Sequence, residues 1–314
     1  MKRILVTGAF GQIGTELVSA LQKKYGMDAI VVFDKKNDPN YKGAAVTGDV
    51  TDLVLLREAV EKHRVGTIYH LASILSATGE QKPDVAWRVN MEGLRNVLDL
   101  AREFKLKVFW PSSIAVFGPT TPRDMTPQQT ILEPTTMYGV TKVSGELLCQ
   151  YYFRKFGVDV RSLRYPGIIS WKTLPGGGTT DYAVEIFHKA LETGAYACFL
   201  KKGTMLPMMY IDDAIRATIE LMEAPAKNIK TRTSYNLAAV SFTPEEIAET
   251  IKRHGVLLDI TYQPDFRQKI ADSWPKTIDD RQARKEWGWK HRYGLGEMVE
   301  AMINGIAEML SLLQ

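Results

Sequence analysis

Apolar and polar positions follow two alternating rhythms through the first half of the chain. Short runs rich in apolar and β-branched residues, Arg3–Thr7, Ala29–Asp34, Thr67–Leu71, Val108–Ser113 and Val158–Tyr165, predict strands. Between them, apolar residues recur every three or four positions over Gln12–Lys24, Asp52–Lys62, Asp84–Glu103 and Met137–Phe156, predicting amphipathic helices. Strands without a polar face need cover on both sides, which a parallel sheet obtains from its crossover helices. Right-handed crossovers then give a doubly wound α/β fold.

The alternation loosens after Tyr165. A Gly-rich loop, Leu174 to Gly178, precedes a helix over Asp181–Glu192, and a second helix over Asp212–Glu223 precedes a strand around Ser234–Leu237. This pattern assigns residues 1–165, with a return segment at about 211–239, to the sheet-forming domain. Residues 166–210 and 240–314 then form a smaller α+β lobe expected to bind substrate.

Composition narrows the function. The net charge of +4 is spread along 314 residues without a block of like charge, which argues against a nucleic-acid arm or an anionic membrane surface. No apolar stretch approaches the ~18 residues of a membrane span. Met1 leads almost directly into the first strand, so neither signal nor transit peptide is expected. Two cysteines, Cys149 and Cys198, are too few for a disulfide framework and point to a reducing, cytoplasmic compartment.

The first chemical motif lies where strand one becomes helix one, at Gly8-Ala9-Phe10-Gly11-Gln12-Ile13-Gly14. Gly8 permits a tight turn, Gly11 lets backbone approach a pyrophosphate, and Gly14 lets helix and strand pack closely. The helix N-terminus adds free N–H groups and a positive dipole for phosphates. Asp34 ends the second strand about 20 residues on, where a carboxylate accepts bonds from ribose hydroxyls and repels a 2′-phosphate. Lys35 and Lys36 follow it and work in the opposite direction. Gly48-Asp49-Val50, after a further short strand, is placed to border an adenine. Together these predict a Rossmann-type site for NAD rather than NADP.

The second motif is Tyr138-x-x-x-Lys142 on the fourth helix. Positions i and i+4 share a helix face. A free tyrosine has a pKa near 10, and lowering it by about three units takes roughly 4 kcal/mol. One ammonium about 4 Å away, at an effective dielectric near 20, supplies about that much. Lys142 is thus expected to tune Tyr138 as a base and to orient the nicotinamide ribose. Ser112-Ser113 closes the preceding strand, where a hydroxyl can hold the substrate oxygen against the phenol. The five histidines form no metal-ligand motif, so no metal is expected.

With these residues in view, the chain resembles the extended short-chain dehydrogenases/reductases, which include nucleotide-sugar epimerases and dehydratases. The resemblance runs through Gly8, Gly11, Gly14, Asp34, Asp49-Val50, His70-Leu71-Ala72, Asn90, Ser113, Tyr138, Lys142 and Tyr165-Pro166-Gly167. It implies that Leu71, Ala72, Ser73 and Ser112 line the cofactor with Tyr165, that Asn90 stabilises the active-site region, and that Ile168 lies beside the nicotinamide. More narrowly, the stretches Leu75–Glu80, Trp110–Pro119, Gly178–Ala183, Leu206–Tyr210 and Ser273–Pro275 resemble short-chain-type L-threonine 3-dehydrogenases. That likeness implies that Ser76, Thr179, Thr180 and Trp274 wrap the amino acid, with Ser113 and Tyr138 at its hydroxyl.

The expected reaction is removal of threonine's β-hydroxyl proton by Tyr138 and of its β-hydrogen as hydride to NAD+, giving 2-amino-3-oxobutanoate. A nucleotide-sugar epimerase or dehydratase with the same base is the nearest alternative, with Lys201, Lys202, Arg267 and Arg281 available for a diphosphate. An NAD-sensing regulator is the remote one. The helices Asp84–Glu103 and Met137–Phe156 pair as a four-helix dimer interface in this superfamily, so the resemblance implies a homodimer.

Overall fold

The computed structural model describes residues 2–174 and 176–311. Pro175 of the Gly-rich loop, Met1 and residues 312–314 lie outside the described residues. The strands are β1 (Arg3–Thr7), β2 (Ile30–Asp34), β3 (Ala44–Thr47), β4 (Val65–His70), β5 (Lys107–Ser113), β6 (Val160–Tyr165), β7 (Gly167–Ile169), β8 (Ala195–Cys198), β9 (Leu206–Tyr210), β10 (Tyr235–Asn236), β11 (Val240–Phe242) and β12 (Asp259–Tyr262). The helices of concern here are α1 (Gln12–Tyr25), α2 (Leu53–Lys62), α3 (Ser76–Gln81), α4 (Pro83–Trp87), α5 (Gly93–Phe104), α6 (Met137–Phe156) and α7 (Tyr182–Thr193).

Two compact units divide the chain: Met1–Ser113 with Met137–Arg164 and Ile215–Tyr235, and Ile114–Thr136 with Tyr165–Ala214 and Asn236–Gln314. Residues 114–136 therefore leave the sheet-forming domain to which the sequence pattern assigned them. The reason is that this stretch is mostly irregular and finds its partners late in the chain. Arg123 Nε donates to the Trp274 carbonyl (2.9 Å), and the Lys276 N–H donates to the Arg123 carbonyl (2.8 Å).

The first unit is built on a seven-stranded sheet in the order β10-β6-β5-β4-β1-β2-β3, with parallel pairing from β5 through β3. Strands three-two-one-four-five-six are the doubly wound order, with the switch between β1 and β4. The sheet's Leu5, Val31, Phe33, Ile68 and Val108 pack with the helical Leu56, Leu94, Leu98 and Cys149, all buried. That cluster lies on one face of the sheet; the alternate residues Val6, Val32, Tyr69 and Phe109, which point to the other face, are buried as well, so the strands carry no polar side. In the second unit, β11-β9-β7 and β12-β8 form two small sheets.

One predicted helix is not a single α-helix. Between α4 and α5, residues Arg88–Glu92 form a π-helical turn. A π turn inserts an extra residue into the helical path and re-aims side chains there. Here it carries Asn90, whose contacts account for the departure.

Candidate active site

The β1–α1 turn is tight because of two glycines. Gly8 has φ +67°, and a Cβ on it would lie 2.7 Å from the Ala72 amide nitrogen. A Cβ on Gly14 would lie 2.2 Å from the Gly8 carbonyl oxygen. Gly11 differs: its φ is −80°, and a Cβ would meet only the Gly8 oxygen, at 3.4 Å. The fold itself thus tolerates a side chain at Gly11. Its bareness serves close approach by something outside the chain, as a pyrophosphate at a helix N-terminus requires. Gln12, Ile13 and Gly14 form the first turn of α1, with their amides in that position.

Around this turn, Gly8, Phe10, Gly11, Asp34, Lys35, Asp49, Val50, Leu71, Ala72 and Ser73 line a single cleft at the carboxyl ends of the strands. Lys36 and Gly48, both flagged in the sequence, also line it, and Phe33, Ile74 and Val89, which the sequence did not single out, complete its wall. Asp34 is held by backbone: Phe10 N–H donates to Oδ2 and Lys36 N–H to Oδ1, both at 2.9 Å. Each oxygen keeps a second lone pair for a ribose hydroxyl. The cleft therefore fits a dinucleotide on its own geometry.

Asn90 ties this cleft to the catalytic helix. Its amide donates to the Ile74 carbonyl (3.1 Å) and to Thr141 Oγ1 (3.1 Å), and its oxygen accepts from Ile74 N–H (2.8 Å) and Ser73 Oγ (3.1 Å). These four bonds use its whole capacity, so its side chain positions the Ser73–Ile74 wall rather than binding a cofactor directly. His70, buried, bonds Thr7 Oγ1 at 2.7 Å across the β1–β4 register. Burial, with the Lys142 charge nearby, pushes its pKa down to about 3.

Four consecutive residues of β5 grip α6. The Trp110 ring lies under the Lys142 ammonium, 4.6 Å from centroid to nitrogen, and packs against Gly145, where a Cβ would come within 2.4 Å. The Pro111 carbonyl accepts from Lys142 Nζ at 2.7 Å. Ser112 Oγ donates to Glu146 Oε1 at 2.6 Å. Ser113 hydrogen-bonds the Tyr138 hydroxyl. Tyr138, Lys142 and Ser113 are thus brought together as their spacing predicted. Ser112, assigned to the cofactor by the resemblance, gives its one hydroxyl proton inward to Glu146, which leaves its backbone for any cofactor contact.

Glu146 and Arg164 form a buried pair that sequence reading missed. Arg164 Nε and Nη2 donate to the two carboxylate oxygens at 2.8 and 2.7 Å. Its signal was an acid one turn beyond Lys142 on the inward face of a long helix. Glu80 was missed too: its carboxylate accepts from the Met137 N–H at 2.6 Å, bracing α3 on the start of α6. Ser76, buried, is carried at the start of that same short helix.

The electrostatics differ from the simple ammonium–phenolate picture. Burial pushes Tyr138 up to about 12, opposed by the Ser113 bond, and pushes Lys142 down to about 7, opposed by Cys149 and Glu146. In the cofactor-free chain Tyr138 is therefore a neutral phenol. The expected depression fails because burial penalises both charges and because the Lys142 hydrogen bond goes to a carbonyl. A further positive charge beside the ring is needed to reverse the sign.

The remaining predicted residues belong to the second unit. Ile168 pairs with Met209 in the β7–β9 ladder, and Tyr165 and Thr179 are buried. Thr180 packs over Gly167, where a Cβ would come within 2.7 Å of it. Asp181 immediately precedes α7, yet its carboxylate accepts from the Gly177 and Gly178 N–H groups (2.8 and 2.6 Å), closing the Gly-rich loop instead of capping the helix. Trp274 is buried, with its carbonyl held by Arg123.

Comparison with known proteins gives a coherent set of relatives. The bovine protein named L-threonine 3-dehydrogenase, mitochondrial, is 50% identical over 307 residues, covering 96% of this chain and 82% of its own. A solved structure, the GalE-like L-threonine dehydrogenase from Cupriavidus necator in its holo form, superposes with a TM-score of 0.95 at 53% identity, over 97% of this chain and 99% of that one. A monomeric L-threonine 3-dehydrogenase from a metagenome, in its apo form, gives a TM-score of 0.96 at 50% identity, over 98% and 99% of the two chains. The model of the NAD dependent epimerase/dehydratase family matches residues 4–238, over the glycine turn, Asp34 and the Ser113–Tyr138–Lys142 cluster, and the chain belongs to that family.

Proposed function

We propose that the protein oxidises the β-hydroxyl of L-threonine to 2-amino-3-oxobutanoate, with NAD+ as the hydride acceptor. The observation that carries this reading is the Ser113–Tyr138–Lys142 cluster at the end of β5, in a chain half identical to proteins named for that reaction. Ser113 holds the substrate oxygen at the phenol, and Tyr138 removes the hydroxyl proton. Lys142, 5.3 Å from the Tyr138 ring centroid, stabilises the charge that forms there. Bound NAD+ supplies the hydride acceptor and a positive charge. Gly8, Gly11 and the α1 amides hold its pyrophosphate and Asp34 its ribose. Ser76, Thr179, Thr180 and Trp274 are assigned to the amino acid, with Tyr165 and Ile168 toward the nicotinamide.

Three of the four basic residues open to the nucleotide-sugar alternative are already engaged. Lys202 pairs with Glu245, Arg267 with Asp265 and Arg281 with Asp279, each at 2.6 Å, so each already has a carboxylate partner that a diphosphate would have to displace. The test is absorbance of reduced cofactor during a scan of L-threonine, small hydroxy amino acids and UDP-sugars. Steady NADH formation with L-threonine is expected. Its absence, with tightly retained NAD and turnover of a UDP-sugar, would establish the epimerase instead.

The assembly proposed is a homodimer. The helical stretch from α4 onward exposes Val85 and Trp87, and α6 exposes Leu147 and Tyr151, at 39, 45, 59 and 52% of their surface. Adjacent helices with this much bare apolar area suit a self-complementary interface. Sedimentation of wild type as a dimer and of L147E as a monomer is expected. A wild-type monomer at micromolar concentration, the state in which the metagenomic relative is described, would remove the proposal. The two buried free cysteines suit the reducing cytoplasm proposed as its location.

A further inference from the structure

At the adenosine end of the cleft, two cations follow the selective acid. Asp34 repels a 2′-phosphate, whereas Lys35 and Lys36 beside it would attract one. The sheet resolves this conflict for one of them. Strand β3 runs parallel to β2 with Asp34 opposite Thr47, and the Gly48 N–H donates to the Asp34 carbonyl at 2.8 Å. Asp49 is thereby fixed across the cleft rim from Lys35. Its Oδ1 accepts from Thr51 N–H at 3.0 Å, and its Oδ2 meets Lys35 Nζ at 3.0 Å. The acid is pinned by backbone and largely covered, while the lysine side chain is 69% exposed. A fixed carboxylate thus holds a mobile ammonium.

We infer that Asp49 is a specificity-determining residue, which keeps Lys35 from serving a 2′-phosphate and so enforces NAD over NADP. The inference rests on dinucleotide binding at this cleft and is independent of which alcohol is oxidised. Two effects add in the same direction. Asp49 occupies the ammonium that a phosphate would otherwise recruit, and it places a second negative charge beside Asp34 at the rim. An exposed pair of this kind is worth up to about a fivefold change in an equilibrium constant.

Calorimetric titration of NAD+ and NADP+ into wild type, D49N, K35M and D49N/K35M tests it without any turnover. D49N is expected to shift the NADP+ to NAD+ affinity ratio toward NADP+ by about two- to fivefold. The shift is expected to shrink to less than half, on a logarithmic scale, in D49N/K35M. NAD+ stays preferred in absolute terms, because Asp34 remains. An unchanged ratio in D49N, or a gain that survives intact without Lys35, overturns the proposal. Failure of wild type to bind either nucleotide overturns the dinucleotide reading of the cleft and the proposal with it. Failure to oxidise threonine, with both nucleotides binding as described, overturns only the substrate.

Discussion

Y138F is expected to lower turnover of L-threonine by roughly 10²–10⁴-fold, the range a positioned general base contributes, while NAD+ binds nearly as in wild type. The phenol sits at the end of a helix face that also carries Lys142, and its hydroxyl is the atom Ser113 holds. Removing that one oxygen leaves the ring, the helix and the glycine turn in place. The pH profile supplies a second readout. Burial pushes the phenol up to about 12 in the free chain, so the fraction ready to accept a proton grows as pH rises. Wild-type kcat is expected to climb with pH up to the lowered pKa of the loaded site, and the residual rate of Y138F to lack that limb. Turnover within a few-fold of wild type in the variant would show that the proton leaves by another route.

The largest stability effect is expected from Glu146. Its carboxylate and the Arg164 guanidinium are each at most 4% exposed and satisfy one another twice. E146Q strips the buried Arg164 guanidinium of its Glu146 carboxylate, and breaking a buried pair from one side costs about 3–5 kcal/mol. It also weakens the anchor of Ser112, so the end of β5 loosens where Ser113 must align. Removing both charges leaves no buried charge of this pair uncompensated, and E146Q/R164M should regain most of the loss. Urea unfolding of the three proteins measures this. An E146Q protein within about 1 kcal/mol of wild type would mean that water or another acid reaches Arg164.

Much of the site was legible because its chemistry is local. The glycine turn, the acid ending β2 and the Tyr138–Lys142 spacing depend on short stretches, and the pattern gave α6 its observed bounds of Met137–Phe156. What stayed hidden depends on residues far apart in the chain. The π turn at Asn90 spans five residues, too few to disturb a period read over twenty. Strands such as β7 and β11 are three residues long, and β9 contains Pro207, so neither length nor alternation announces them. The roles of Ser112 and Ser113 separate only when their partners on α6, Glu146 and Tyr138, are known. The charge state of Tyr138 is set by burial, which no spacing reveals.

The grip of Trp110, Pro111, Ser112 and Ser113 on α6 has a consequence for how this protein can change. Its reacting hydroxyls are aligned by the same contacts that close its interior, so chemistry and foldability cannot be altered separately there. Laboratory selection for a new alcohol should leave those four positions alone. Tolerated changes are expected to collect instead in the Gly-rich loop before α7 and around Trp274, where a side chain can be exchanged without unpairing a buried charge.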